Sequence, residues 1–332
     1  MQTDVTMTAV PREGLPGPYY LDFTGFSHRV EKGAFGPFDP AGIPRVDYGA
    51  LFTSSSPAGA GEGGELHYTP VTIAQYALGC LNRSASGESG SGREIFLAQA
   101  GWLRENLTGG RGDIGIWVHH FPFPPYRLAA PWVSAMAQGQ GISVLLRAAE
   151  MTGDQAYREA ADRALKAFAV PLENGGVRCE DSTGIWFEEF PTAPALHVLN
   201  GFIFALLGIH DHLLVSGSAE AERFWTEGTG TLLGNIGRFD LGYWSRYDLH
   251  RRVAASHQYH HLHHLQLEVL ADLLDSDRLH RLAARWRNAP GQGIARFRYR
   301  ISRHLNGLRH RLGRPEYRVE GISLDGAGGE RS

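Results

Sequence analysis

From Val71 onward, apolar side chains recur every three to four positions through segment after segment, a period that commits most of the 332-residue chain to α-helix. Eight segments carry it, at about 71–83, 92–107, 134–151, 155–169, 193–213, 218–236, 257–276 and 277–288. Helices in successive pairs, with aromatic and polar residues crowding alternate loops, predict a mainly α fold. The form expected is an α/α toroid, an incomplete barrel of about four helical hairpins whose inner ring lines a cavity and whose outer ring covers it. An irregular helical bundle satisfies the same periodicity, and no exact internal repeat is visible.

Ahead of the helices, YYLDFTGFSHRV from Tyr19 and GIPRVDYGALF from Gly42 mix aromatics, β-branched residues and turn formers, which predicts a short β-hairpin or extended segment. The expected organisation is therefore an N-terminal tail (1–18), the hairpin or extended segment (19–69), the α/α toroid domain (70–289), and a basic helix with a disordered tail (290–332). A flexible loop is expected at 54–64, SSSPAGAGEGG.

A net charge of −3 gives no general attraction to nucleic acid. Two cysteines, Cys80 and Cys179, make no disulfide framework. The first residues have no basic n-region or apolar h-region, and no later run reaches the roughly 18 apolar residues of a membrane span, so the expected location is cytoplasmic. At the C-terminal end, Ile294, Phe297, Ile301, Leu305, Leu308 and Leu312 fall on one helical face, while Arg296, Arg298, Arg300, Arg303, Arg309 and Arg311 crowd the others. Such a helix over 293–312 suits peripheral contact with an anionic membrane or a polyanion; a helix docked on the domain with a solvated arginine face is the other reading.

The chemistry concentrates in GIWFEEFPTAPALHVLNG, Gly184 to Gly201. Pro191 and Pro194 exclude a helix interior, so Glu188 and Glu189 are presented from a stiff loop running into a helix that starts near Ala193. Carboxylates walled by Phe187 and Phe190 are desolvated, which raises the pKa toward the range a general acid or base needs. A solvated acidic turn with its aromatics in the core is equally consistent. Farther on, HQYHHLHH sets His257 with His261 and His260 with His264 at helical i,i+4 spacing, a pattern open both to a divalent metal and to packing.

Four blocks then align with one family. PWVSAMAQGQGISVLLRAAEMTGD (Pro131–Asp154), WFEEFPTAPALHVLNGFIFALLGIHD (Trp186–Asp211), YDLHRR (Tyr247–Arg252) and YHHLHHLQL (Tyr259–Leu267) resemble the C-terminal helical catalytic domain of D-glucuronyl C5-epimerases of the heparosan and heparan type. HYTPVTIAQYAL (His67–Leu78) resembles the segment that precedes a β-sandwich in the animal enzymes, but only Leu81 to Gly92 separate it from the next helix here. The resemblance spans roughly 65–288 and implies an isomerase that inverts C5 of glucuronate within a glycan or glycoconjugate by removing a proton on one face and returning one on the other.

The resemblance implies Glu189 and Tyr259 as the acid/base pair, with His260 lowering the tyrosine's pKa or the tyrosine acting as proton donor. Tyr247 is expected to bond the substrate carboxylate. Glu188, Phe190, Trp132, Gln138, Gln140, Asn200, Arg246, His250, Arg251, His260 and His263 are the expected substrate contacts, although Gln138 and Gln140 suit inter-helix contacts equally. The reaction requires no cofactor and no metal, and a homodimer is the family's habit. Phe190 stands where the family has tyrosine, and His250 where the animal enzymes have arginine, leaving Arg246 or Arg251 as the carboxylate clamp. Two other activities draw on the same residues: a uronate lyase acting by β-elimination, and a catalytically inactive glycan-binding toroid.

Overall fold

The computed structural model describes residues 6–7, 15, 18–48, 65–109, 113–251, 253–291 and 293–312, without the side chains of 6–7 and 303–312. The loop expected at 54–64, the tail expected beyond 312 and most of the N-terminal tail lie outside them. Among the described residues the fold is mainly α, with ten helices: α1 (Thr24–Glu31), α2 (Pro70–Ala85), α3 (Gly92–Glu105), α4 (Ala135–Thr152), α5 (Gln155–Leu165), α6 (Leu199–Ser216), α7 (Ala219–Asn235), α8 (His257–Leu273), α9 (Asp277–Asn288) and α10 (Gly293–Leu312). The eight periodic segments are α2 to α9. Among the described residues strands occur only as short antiparallel pairs, such as Arg45–Asp47 with Leu66–Tyr68 and Arg178–Asp181 with Gly184–Phe187.

Local signals set the hairpin turns. Gly153 ends α4 at φ 72°, and the next residue, Asp154, caps α5 by accepting from Ala156 N at 2.9 Å. Gly217, at φ 58°, and Ser218 repeat the arrangement between α6 and α7. A left-handed glycine followed at once by an oxygen cap reverses the chain in few residues, which places consecutive helices side by side.

Helices α2, α4, α6 and α8 form an inner row in which each packs on the next, and α3, α5, α7 and α9 each cover the helix they follow. The centre of this row is α4 against α6. Every residue from Ala135 to Ala148 is buried, as is every residue from Leu199 to Ile209. The two backbones approach closely because both lack a side chain at the crossing: a Cβ on Gly208 would lie 2.1 Å from Gly139 O. Lower on the same pair, Arg147 Nη1 donates to Asp211 Oδ2 at 2.6 Å, with both side chains almost wholly buried. By length and composition α6 is apolar enough to cross a membrane, but 72% of it is buried inside the domain, which marks it as the core helix.

Two expectations need correction. Residues 19–69 carry a helix, α1, where a short β-hairpin or extended segment was expected; Ser27 and Val30, with the N-cap Phe23, bury one side of it against the body, and α1 packs on α2. Eight residues with a glycine near the start hold little intrinsic helicity, so burial rather than propensity makes this helix. The second concerns α6, which starts at Leu199 and not near Ala193. His197 takes a left-handed backbone (φ 53°), and its N–H donates to Glu188 Oε2 at 3.1 Å instead of entering a helical ladder.

Candidate active site

The hairpin Arg178–Phe187 runs directly into the paired acids, and the two diverge. Glu188, 1% exposed, is committed to protein: His197 Nδ1 lies 2.6 Å from its Oε1, and His197 Nε2 lies 3.1 Å from Asp181 Oδ2. Burial disfavours a charged His197, yet the hydrogen bond and charge of Glu188, with Asp181, hold its pKa above the ordinary value. Trp186 stacks on the ring at 4.4 Å between centroids. Glu188 thus supports the loop and does not line the cavity, contrary to its expected role as a substrate contact.

Glu189 faces the other way, into a cavity of about 600 Å³. Burial first and the charge of Glu188 second push its pKa up to about 8, against the opposing hydrogen bond from Asn200 Nδ2 at 3.3 Å. Its seat depends on Gly201, since a Cβ there would sit 2.4 Å from Glu189 Oε2. A carboxyl group balanced near neutrality in this way can exchange a proton in either direction.

Four tyrosines surround it. Tyr259 and Tyr247 meet edge to face at 4.7 Å between ring centroids. Burial and then the charge of Glu189 raise Tyr259 to about 12, partly offset by its hydrogen bond with Tyr247, and raise Tyr247 well above the usual phenol value. Tyr48 is pushed up to about 12, chiefly by burial, and Tyr126 is raised by burial against the charge of Arg251. All four are therefore protonated donors near neutral pH. His260 does not lower the pKa of Tyr259 as expected: it turns away, stacks on Trp244 at 3.9 Å, bonds Ser245 and Trp286 O, and is itself pushed down to about 3, mainly by burial.

The cation of the cavity wall on this side is Arg251, which donates to the Tyr126 hydroxyl and, through Nε, to Asp248 Oδ2 at 2.8 Å. Asp248 and Tyr126 thus hold the guanidinium from two sides, and the buried Asp248 also accepts from the Arg251 backbone N–H. Arg246 lies in a backbone bridge with Ala254, His250 is exposed, and neither lines the cavity. Of the two arginines expected at the clamp, Arg251 lines the cavity and Arg246 does not.

Phe190, Trp132 and Asn200 line the cavity as expected. Phe190 stacks on Phe123 at 5.0 Å, and Trp132 stacks on His119 at 3.9 Å. Gln138 and Gln140 do not reach the cavity. Gln138 bonds Trp117 N, Gly115 O and Ala164 O, pinning α4 to its surroundings, and Gln140 is wholly buried in the α4 packing. His263 shares Ser245 with His260 and is also a packing residue. Among the described residues no three His, Cys, Asp or Glu side chains are placed together to hold a metal.

Sequence reasoning missed Tyr48, Tyr126, His119 and the wall from α1 and its N-cap (Phe23, Phe26, Arg29). They come from segments without periodic pattern and reach the cavity only through tertiary folding. His119, 1% exposed and pushed down to about 3 chiefly by burial, adds a neutral imidazole to the lining. The N-terminal ends of the whole inner row also converge here: Thr69–Thr72 for α2, Ser134–Met136 for α4, Asn200 for α6 and Ser256–Tyr259 for α8. Helix N-termini carry partial positive charge, so their convergence favours an anionic ligand in the cavity.

Residues 111–288 match the family model described as the D-glucuronyl C5-epimerase C-terminus. A D-glucuronyl C5-epimerase of Caenorhabditis elegans is 35% identical over 212 residues, which cover 58% of this chain and 34% of that protein. An uncharacterized protein of Methanocaldococcus jannaschii is 36% identical over 156 residues, covering 46% of this chain and 50% of that protein. The chain therefore spans between about a third and a half of the length of these relatives.

Proposed function

Since this chain belongs to the D-glucuronyl C5-epimerase family, we propose that it inverts C5 of D-glucuronate residues, giving L-iduronate, within a glycan or glycoconjugate. The reading rests chiefly on one observation: a single buried carboxyl group with its pKa near 8, set among protonated tyrosines in an anion-favouring cavity. The C5 proton beside an ionised carboxylate is very weakly acidic, so its removal needs two things at once: a base out of water, and donors that neutralise the substrate carboxylate as charge moves onto it.

Glu189 in its ionised form takes the proton from C5, and the electron pair of the broken C–H bond moves into an enediolate. Tyr259 returns a proton to C5 from the opposite face, leaving a phenolate that regains a proton from solvent as Glu189 releases its own. Arg251 and the hydroxyls of Tyr126 and Tyr247 hold the substrate carboxylate and its developing charge.

Incubation with glucuronate polymers in D₂O tests this. Deuterium at C5 without unsaturated-uronate absorbance is expected; chain shortening with that absorbance would make the protein a lyase. Because the working form of Glu189 is ionised, exchange is expected to rise with pH through about 8. Glu188→Gln removes the like charge that helps raise Glu189 and is expected to move the midpoint to lower pH; an unmoved midpoint would count against Glu189 as the base.

Phe190→Tyr is the complementary gain. The ring already lies in the cavity wall beside Tyr126, at 4.5 Å between centroids, so the added hydroxyl becomes a further donor at the site. Exchange on glucuronate polymer is expected to rise about tenfold, the worth of one well-placed hydrogen bond. Unchanged or lower exchange would show that the site is not one hydroxyl short.

A further inference from the structure

The C-terminal helix α10 is attached to the body by a narrow face. Ala295 is 2% exposed and packs with Trp244, Ala254 and Ala289, and the Tyr299 ring lies 4.6 Å from Trp244 and 4.6 Å from His257. Ala295 and Tyr299 are one helical turn apart, so one side of α10 is used for docking.

The apolar side is not the docked side. Ile294 is 75% exposed, Phe297 65% and Ile301 44%, and these are three of the five large hydrophobic side chains exposed among the described residues. At i, i+3 and i+7 they make one continuous stripe pointing away from the body. At about 100° per residue, Arg296 and Arg300 fall on one flank of that stripe and Arg298 on the other, and all three are exposed. The helix has six arginines and no acidic residue in 20 positions, in a chain whose net charge is −3.

From this arrangement we infer that α10 is a membrane-contact element, laying Ile294, Phe297 and Ile301 into the interface of an anionic lipid bilayer with its arginines at the level of the headgroup phosphates. A second copy of the chain fits the stripe less well, because apposing two such helices brings their arginines together. A soluble polyanion satisfies the arginines and leaves the apolar stripe in water. An anionic bilayer satisfies both. The inference is independent of the proposed reaction, since α10 lies outside the family-matched residues.

The test is co-sedimentation of the full chain with phosphatidylcholine vesicles, alone or with about a third phosphatidylglycerol. Pelleting is expected only with the anionic vesicles, and is expected to be released by about 1 M salt. The triple variant Ile294→Ser, Phe297→Ser, Ile301→Ser and, separately, the pair Arg296→Glu, Arg300→Glu should each weaken vesicle binding at least about tenfold. Circular dichroism on both variants checks that the fold survives. No pelleting of the parent chain would overturn the inference. So would a triple variant that binds as well as the parent, which would reduce the contact to charge alone. A parent dimer that the triple variant converts to monomer, without vesicle binding in either, would assign the stripe to a second copy.

Discussion

Glu189→Gln is expected to lower C5 deuterium exchange by about 10²–10⁴-fold, the contribution of a positioned acid/base group, and at the same time to make the protein more stable. The second half follows from linkage. The fold holds Glu189 at a pKa of about 8, above the ordinary value of 4.5, because burial and Glu188 disfavour its charge. A group raised on folding contributes stability in full below its unfolded pKa and loses it as pH rises through the folded one. Glutamine keeps the neutral shape at every pH. The variant's advantage in stability should therefore open between about pH 4.5 and 8 and level off above, reaching a few kcal/mol at most, with the melting temperature rising in step. Melting curves across that range check it. A constant difference would mean that Glu189 is not held neutral by its surroundings, and retained exchange would remove it from the reaction.

The second large effect is on stability alone. Asp211→Ala is expected to cost about 3–5 kcal/mol, the penalty of leaving a buried ion-pair partner uncompensated. Arg147 would lose its carboxylate in a site where its side chain is only 2% exposed. The same carboxylate accepts from the Tyr20 hydroxyl at 2.8 Å, so the N-terminal segment would lose one of its ties to α6 as well, keeping the contact of that hydroxyl with His210 Nδ1 at 2.7 Å. Urea denaturation followed by helical signal gives the number; a cost under about 1 kcal/mol would place the pair with the weak surface bridges. A double variant replacing both Arg147 and Asp211 by apolar residues of similar volume should recover much of the loss.

The helices were legible because period and punctuation agree: each inner-row segment buries a face, and Gly153–Asp154 and Gly217–Ser218 stop one helix and start the next with their own atoms. Glu189, Tyr247 and Tyr259 were legible as residues through the family resemblance, and the structure gathers them around one cavity. The division of labour between adjacent residues was not. Glu188 and Glu189 are neighbours in sequence, but a left-handed His197 nine positions on captures the first and leaves the second to the cavity. Likewise Arg251, not Arg246, reaches the site because Asp248 and Tyr126 hold it, and Tyr126 is 125 residues away in the chain. Gln138 is polar, central and within a matching block, yet three backbone groups occupy it. Such outcomes depend on long-range partners, which no local pattern encodes.

The placement of α1 bears on how this family should be cut for expression and comparison. Phe23, Phe26, Arg29, Tyr48 and Thr69 all precede residue 111, where the family match begins, and all five line the cavity. Tyr19 and Tyr20 belong to the same core as α4 and α6. The unit that inheritance marks out is thus smaller than the unit that encloses a ligand. A fragment trimmed to the matched boundaries would keep Glu189, Tyr247 and Tyr259 but open their chamber to water on one side. Its electrostatics would then relax toward those of exposed side chains, and assays on such a fragment would report on a different chemical environment.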